Sequence, residues 1–138
     1  MTNKQRILVE GYTIEEVLAF PDKQLDAFVF SEDALAFKIG TATVLGRFAR
    51  DGESLITELA HIDGGGEGVL PAISKLATAY ARKHGLCRVD WRVHALHCAK
   101  PNLNLRRVLE RRGFTVEQVP GTGECYHRVV EVGHRPGA

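Results

Sequence analysis

The chain has 138 residues, 44% hydrophobic and 25% charged, with eighteen basic against seventeen acidic side chains and a formal net charge of +1. That length fits one domain with a sizeable core, and the near-neutral balance gives no overall pull toward nucleic acid or a membrane surface. No apolar run approaches the roughly 18 residues of a membrane span. The N-terminus, "MTNKQRILVEGYT", lacks a secretory apolar stretch, so the cytoplasm is the expected compartment. Cys87, Cys98 and Cys125 are odd in number and widely spaced, unlike a disulfide framework. In "HALHCAK", His94, His97 and Cys98 lie close together but match no zinc-ligand spacing, so no metal is expected.

In chain order, the spacing predicts a short helix over 12–20, with a Thr13/Glu16 capping box and Pro21 as its stop. Four strand-like segments follow: 26–30, 34–40, 41–50 and 53–62. An Asp51-Gly52 pair between alternating runs is a hairpin signal, so this half reads as an antiparallel meander. After it the period changes. Val69, Leu70, Ile73, Leu76, Ala77 and Tyr80 recur at helical spacing; Pro71 is tolerated in the first turn, and Gly85 marks the C-terminal cap. "CRVDWRVHAL" (87–96) alternates as a strand, with Trp91 on its buried face. Asn102 is placed to cap a last helix ending at Gly113, and "FTVEQV" and "ECYHRVVEV" read as two closing strands around "PGTG". The expectation is a single α/β (α+β) domain over 1–138, with 133–138 a flexible tail. Its sheet is mixed and mostly antiparallel, with a central strand–helix–strand crossover and at least one parallel pairing.

The loop "HIDGGGEGVLP" between strand and long helix carries four glycines. A helix N-terminus presents unpaired backbone N–H groups and about half a positive charge. Glycines let such a backbone approach a phosphate closely. The same glycines suit a mobile turn, and Asp63 and Glu67 would repel an anion. Neither a P-loop nor a dinucleotide fingerprint is present. Within the loop itself, anion site and simple turn both stand.

From about Asp26 to Val130 the chain resembles the GNAT-type N-acetyltransferases. In that family a meander's last strand leads into a glycine loop and helix that hold coenzyme A. A splayed parallel strand follows, then a helix that opens with Asn and closes on Gly-Phe. "NLNLRRVLERRGF" is the closest match, with Asn102 on the asparagine and Gly113-Phe114 at the end. The resemblance implies an acyl-CoA N-acyltransferase-like fold, acetyl-CoA as the acetyl donor and an amine, small-molecule or protein-borne, as acceptor. Coenzyme A contacts would come from Leu59 and Ala60 on the fourth meander strand, from Gly66, Gly68, Val69 and Leu70, and from Asn102. The chain departs from the family pattern in three places. No Arg or Gln opens the loop, Leu109 stands where many members carry a tyrosine acid, and one N-terminal helix is read where the family has two.

Acetyl transfer from a thioester to an amine needs a neutral amine, a polarised carbonyl and a protonated leaving thiolate. Glu58 and His61 are the candidate catalytic bases; three positions apart on a strand, they point to opposite faces. Glu58 falls where family members often carry a carboxylate base, and His61 has the more suitable intrinsic pKa. Leu109 cannot act as an acid; Cys98, His97, Tyr126 and solvent are the alternatives for that role. Arg106, Arg107, Arg111 and Arg112 make the last helix basic, which reads as a solvated face except near its first turn. The competing function is a GNAT-like binding or assembly module without catalysis, and edge-to-edge pairing into a homodimer is open to either.

Overall fold

The computed structural model describes residues 7–40, 42–60, 62, 66–95 and 103–132. Its first element is a hairpin that the N-terminal sequence did not advertise. β1 (Ile7–Val9) and β2 (Tyr12–Thr13) pair across Glu10 and Gly11, whose φ values of 49° and 86° place both in the left-handed region. A two-residue turn with positive φ at both positions matches the twist of the strands it joins.

The helix expected over 12–20 is shorter, α1 (Ile14–Leu18), because Tyr12 and Thr13 belong to the hairpin. Its capping box forms as read: the Glu16 amide donates to Thr13 Oγ1 at 3.1 Å, and the Thr13 amide donates to Glu16 Oε1 at 3.0 Å. The segment 26–30 is not a strand. It is the second half of α2 (Asp22–Val29), whose Leu25 and Val29, four residues apart, are both buried. Local β-propensity of Phe-Val-Phe loses here to a helix that begins after Pro21, with Asp22 favoured by the dipole in its first turn. The N-terminal part therefore has two helices, not one.

β3 (Leu35–Ile39), β4 (Ala42–Asp51) and β5 (Ser54–Ala60) form the meander. Asp51 pairs with Ser54, so the tight turn is Gly52-Glu53, one residue later than the Asp-Gly signal suggests, with Gly52 at φ 59°. After β5 a 3₁₀ turn over Gly66–Val69 leads into α3 (Leu70–Lys83), which stops at Gly85 with φ 68°. β6 (Arg88–Val93) then pairs parallel with β5, as the crossover required. α4 (Leu103–Arg111) and the hairpin of β7 (Thr115–Val119) and β8 (Gly123–Glu131) complete the chain. The described strands form one eight-stranded sheet in the order β2-β1-β3-β4-β5-β6-β8-β7.

Cross-strand partners share a face, and the register sorts the sheet into two unlike faces. Val9, Phe37, Val44, Phe48, Leu55, Leu59, Val89, Trp91, Val93 and Tyr126 fall on one. They join side chains of all four described helices in a single buried cluster. The other face carries Arg47, Glu58, Asp90, Arg92, His94 and His127, all half-buried or exposed. Gly46 belongs to the packed face: a Cβ there would lie 2.9 Å from Phe37 Cε1 and 3.3 Å from Leu59 Cδ2. α2 is fastened to α3 by Tyr80, whose buried hydroxyl donates to Asp26 Oδ1 at 2.7 Å. No described helix is long and apolar enough to cross a membrane.

Candidate functional site at the end of the parallel strand pair

β5 and β6 stay in register up to Leu59 opposite Val93, and one further bond, from the His94 amide to the Leu59 carbonyl at 2.9 Å, ends the ladder. Ala60 still pairs with Leu45 on β4. Beyond that point no pairing joins the two strands among the described residues. Three features of the chain meet there: the end of β5, the 3₁₀ turn with the first turn of α3, and the start of α4. The turn contacts β3, β4, α3 and α4, and Arg106 Nε of α4 donates to the Ala95 carbonyl at 3.0 Å. Arg106 is thereby the one arginine of the basic helix tied to this corner, while Arg107, Arg111 and Arg112 are exposed.

The predicted loop residues divide by what they expose. Val69 and Leu70 are buried at 0% and 4%, so they anchor the turn against the core. Gly68 is exposed, and a Cβ there would lie 3.2 Å from Ile39 Cδ1, which gives this glycine a packing reason of its own. Gly66 opens the 3₁₀ turn. The N-cap position of α3 is Val69, which makes no side-chain capping bond, and Pro71 occupies the first turn. Among the described residues, no side chain caps the start of α3.

On the open face, Glu58 Oε2 stands 2.6 Å from His94 Nε2, with both side chains about one-third exposed (38% and 32%). Glu58 also lines a hollow of about 260 Å³ with Ala34, Leu45, Arg47 and Ala60. Leu59 points the other way, into the core. The structure thus places Glu58 and Ala60 together, and Leu59 behind them. His94 is the residue that sequence reading missed. In the sequence it stands out only within a His/Cys spacing that matches no metal motif. The signal that finds it is the register itself: Leu59 opposite Val93 puts residue 94 on the same face as residue 58. His61, His97, Cys98 and Asn102 lie outside the described residues.

No protein-family model matches this chain, and no curated protein matches it. Among solved structures, Ard1 from Thermoplasma volcanium is similar over 93% of this chain and 99% of its own, with a TM-score of 0.50 and 11% identity. The fold is GNAT-type. PaiA N-acetyltransferase from Thermoplasma acidophilum, solved in complex with coenzyme A, aligns over 93% and 99% of the two chains with a TM-score of 0.43 and 13% identity. An acetyltransferase of the GNAT family from Streptococcus pneumoniae aligns over 93% and 100%, with a TM-score of 0.40 and 13% identity. At such identities the likeness is one of fold.

Against the GNAT-type fold, two further positions are informative. Leu109, where the resemblance would put a tyrosine, is fully buried in the apolar cluster. Tyr126 lies opposite Val93 on the helix-covered face, and its hydroxyl donates to Glu110 Oε2 at 3.1 Å. Burial, then the bond to Glu110, pushes its pKa up and keeps the phenol protonated.

Farther along the open face, Arg92 grips Asp90 with Nε and Nη2 at 3.1 and 3.3 Å, and its Nη1 donates to Thr122 Oγ1 at 2.8 Å. His127 bridges Asp90 at 2.9 Å and Glu117 at 3.3 Å. These charges satisfy one another and leave Glu58 with His94. Among the described residues, no group of three or more His, Cys, Asp or Glu side chains is arranged to hold a metal ion.

Proposed function

We propose that the chain is an acetyl-CoA-dependent N-acetyltransferase that transfers an acetyl group to a primary amine. The observation that carries this reading is the Glu58–His94 pair, set on the open sheet face where the β5–β6 ladder ends. The uncapped start of α3 and the exposed Gly68 beside it suit the phosphates of coenzyme A, whose thioester supplies the acetyl group. Gly66, Gly68, Val69 and Leu70 hold it by backbone contacts, as do Leu59 and Ala60 at the end of β5; Asn102 completes the set. The backbone N–H groups at this strand end polarise the thioester carbonyl.

The acceptor amine arrives as an ammonium and must lose a proton before its nitrogen attacks. Glu58 takes that proton, and His94, hydrogen-bonded to the same carboxylate, fixes its orientation and shares the charge. His61 is a second base candidate from the same strand end. As the new C–N bond forms, the C–S bond breaks and a proton reaches the departing sulfur. Leu109 does not supply it.

The buried apolar Leu109 favours the alternative of a module that binds without turning over. Calorimetric titration with acetyl-CoA, followed by an amine-dependent turnover assay of wild type and Glu58→Gln, separates the two. Micromolar binding with turnover lost in the variant supports the enzyme. Binding without turnover by any amine supports the module, and no binding at millimolar ligand overturns both as coenzyme A proteins.

A further inference from the structure

The hollow beside Glu58 holds a charge that the proton transfer does not use. In register, Glu58 has an arginine directly opposite on each side, Arg47 on β4 and Arg92 on β6. Directly opposed residues have their Cβ atoms about 5 Å apart, close enough to pair. Yet the Glu58 carboxylate turns to His94 at 2.6 Å instead. Arg92 is neutralised by Asp90 and further held by Thr122. Arg47 is exposed, lines the same hollow as Glu58, and makes no ion pair among the described residues. The rest of the lining, Ala34, Leu45 and Ala60, is small or apolar and offers the hollow no competing charge.

One site thus presents a proton acceptor and, one strand away, an unneutralised guanidinium, the group best shaped to take a carboxylate through two parallel N–H···O bonds. We infer that the acceptor is a small amino-carboxylate, its amine at Glu58 and its carboxylate on Arg47. This rests on the transferase reading and adds to it a substrate class. Diamines and polyamines would bring a second cation against Arg47 and are disfavoured. Amino acids match both charges, and the hollow of about 260 Å³ has room for one.

The test compares amino acids with their amides and decarboxylated amines as acceptors, for wild type, Arg47→Gln and Arg47→Glu. Arg47 is exposed on its strand, so both variants are expected to fold. In wild type, kcat/KM should favour the amino acid by about ten- to hundredfold, the worth of a charged hydrogen bond. Arg47→Gln should abolish that preference, and Arg47→Glu should turn it toward diamines. Equal use of amide and acid by wild type, or an unchanged preference in Arg47→Gln, overturns the inference. Heteronuclear NMR titration with the same amino acid and amide, with no acetyl donor present, keeps the two readings apart. If no amine is acetylated, the transferase reading fails. Carboxylate selection is then decided by whether the amino acid alone shifts the Arg47 and Glu58 resonances and loses that effect in Arg47→Gln.

Discussion

Glu58 and His94 stand 2.6 Å apart on adjacent parallel strands, brought together by one register rather than by nearness in sequence. Replacing Glu58 by Gln keeps the shape and removes the proton acceptor. Turnover should fall by about 10²- to 10⁴-fold, with acetyl-CoA affinity unchanged in calorimetry. His94→Ala should reduce turnover less than Glu58→Gln does. Equal activity in Glu58→Gln would remove it from the mechanism.

Gly68 lies in the 3₁₀ turn just before α3, and a Cβ added there would lie 3.2 Å from Ile39 Cδ1. Gly68→Asp adds a negative charge where the proposed phosphates lie, and it should weaken acetyl-CoA binding by at least about tenfold through that charge. Gly68→Ala, which adds only the Cβ, should leave binding nearer wild type and lower the melting temperature slightly. If both bind acetyl-CoA as wild type does, the phosphates lie elsewhere.

The Tyr80 hydroxyl joins α3 to α2 through Asp26. Burial, then the bond to Asp26, pushes its pKa well above the ordinary tyrosine range. Tyr80→Phe should cost about 1 kcal/mol in urea unfolding, and ultraviolet titration should show one tyrosine ionising after the others. Loss of the late phase in Tyr80→Phe assigns it.

Glu117 accepts hydrogen bonds from Thr115 and then His127, and these hold its carboxyl below the usual range. A carboxyl depressed in the folded state adds stability that is present above its unfolded pKa and lost as pH falls through the folded one. Melting temperature should therefore decline as pH drops below the ordinary glutamate value of about 4.3. Glu117→Gln should flatten that decline by lowering the neutral-pH value toward the acid one.

Much of the fold was legible because hydrophobic period and turn residues agree along most of the chain. The Thr13 capping box, α3 with its Gly85 stop, the β5–β6 crossover and the final hairpin all follow from local pattern. Three elements escaped. β1 and β2 are three and two residues long, too short for periodicity, and their turn uses Glu10 at positive φ where Gly or Asn is the usual sign. Residues 26–30 look like a strand in isolation, and the helix is apparent only when Leu25 and Val29 are seen burying one side.

For the site, Glu58 was legible by its place on the strand leading to the glycines. Its partner was not, because strand alternation gives a face but only the register of β5 against β6 says that 58 and 94 meet. The same limit hid Arg47, whose importance depends on where the Glu58 carboxylate turns.

The most direct measurement is formation of free coenzyme A, followed chromatographically, when wild type and Glu58→Gln are mixed with acetyl-CoA with and without a panel of amino acids. Amine-dependent release by wild type, lost in the variant although it still binds acetyl-CoA, is the predicted result. Acetyl-CoA left intact by wild type with every amine, or release that Glu58→Gln leaves untouched, would contradict the account.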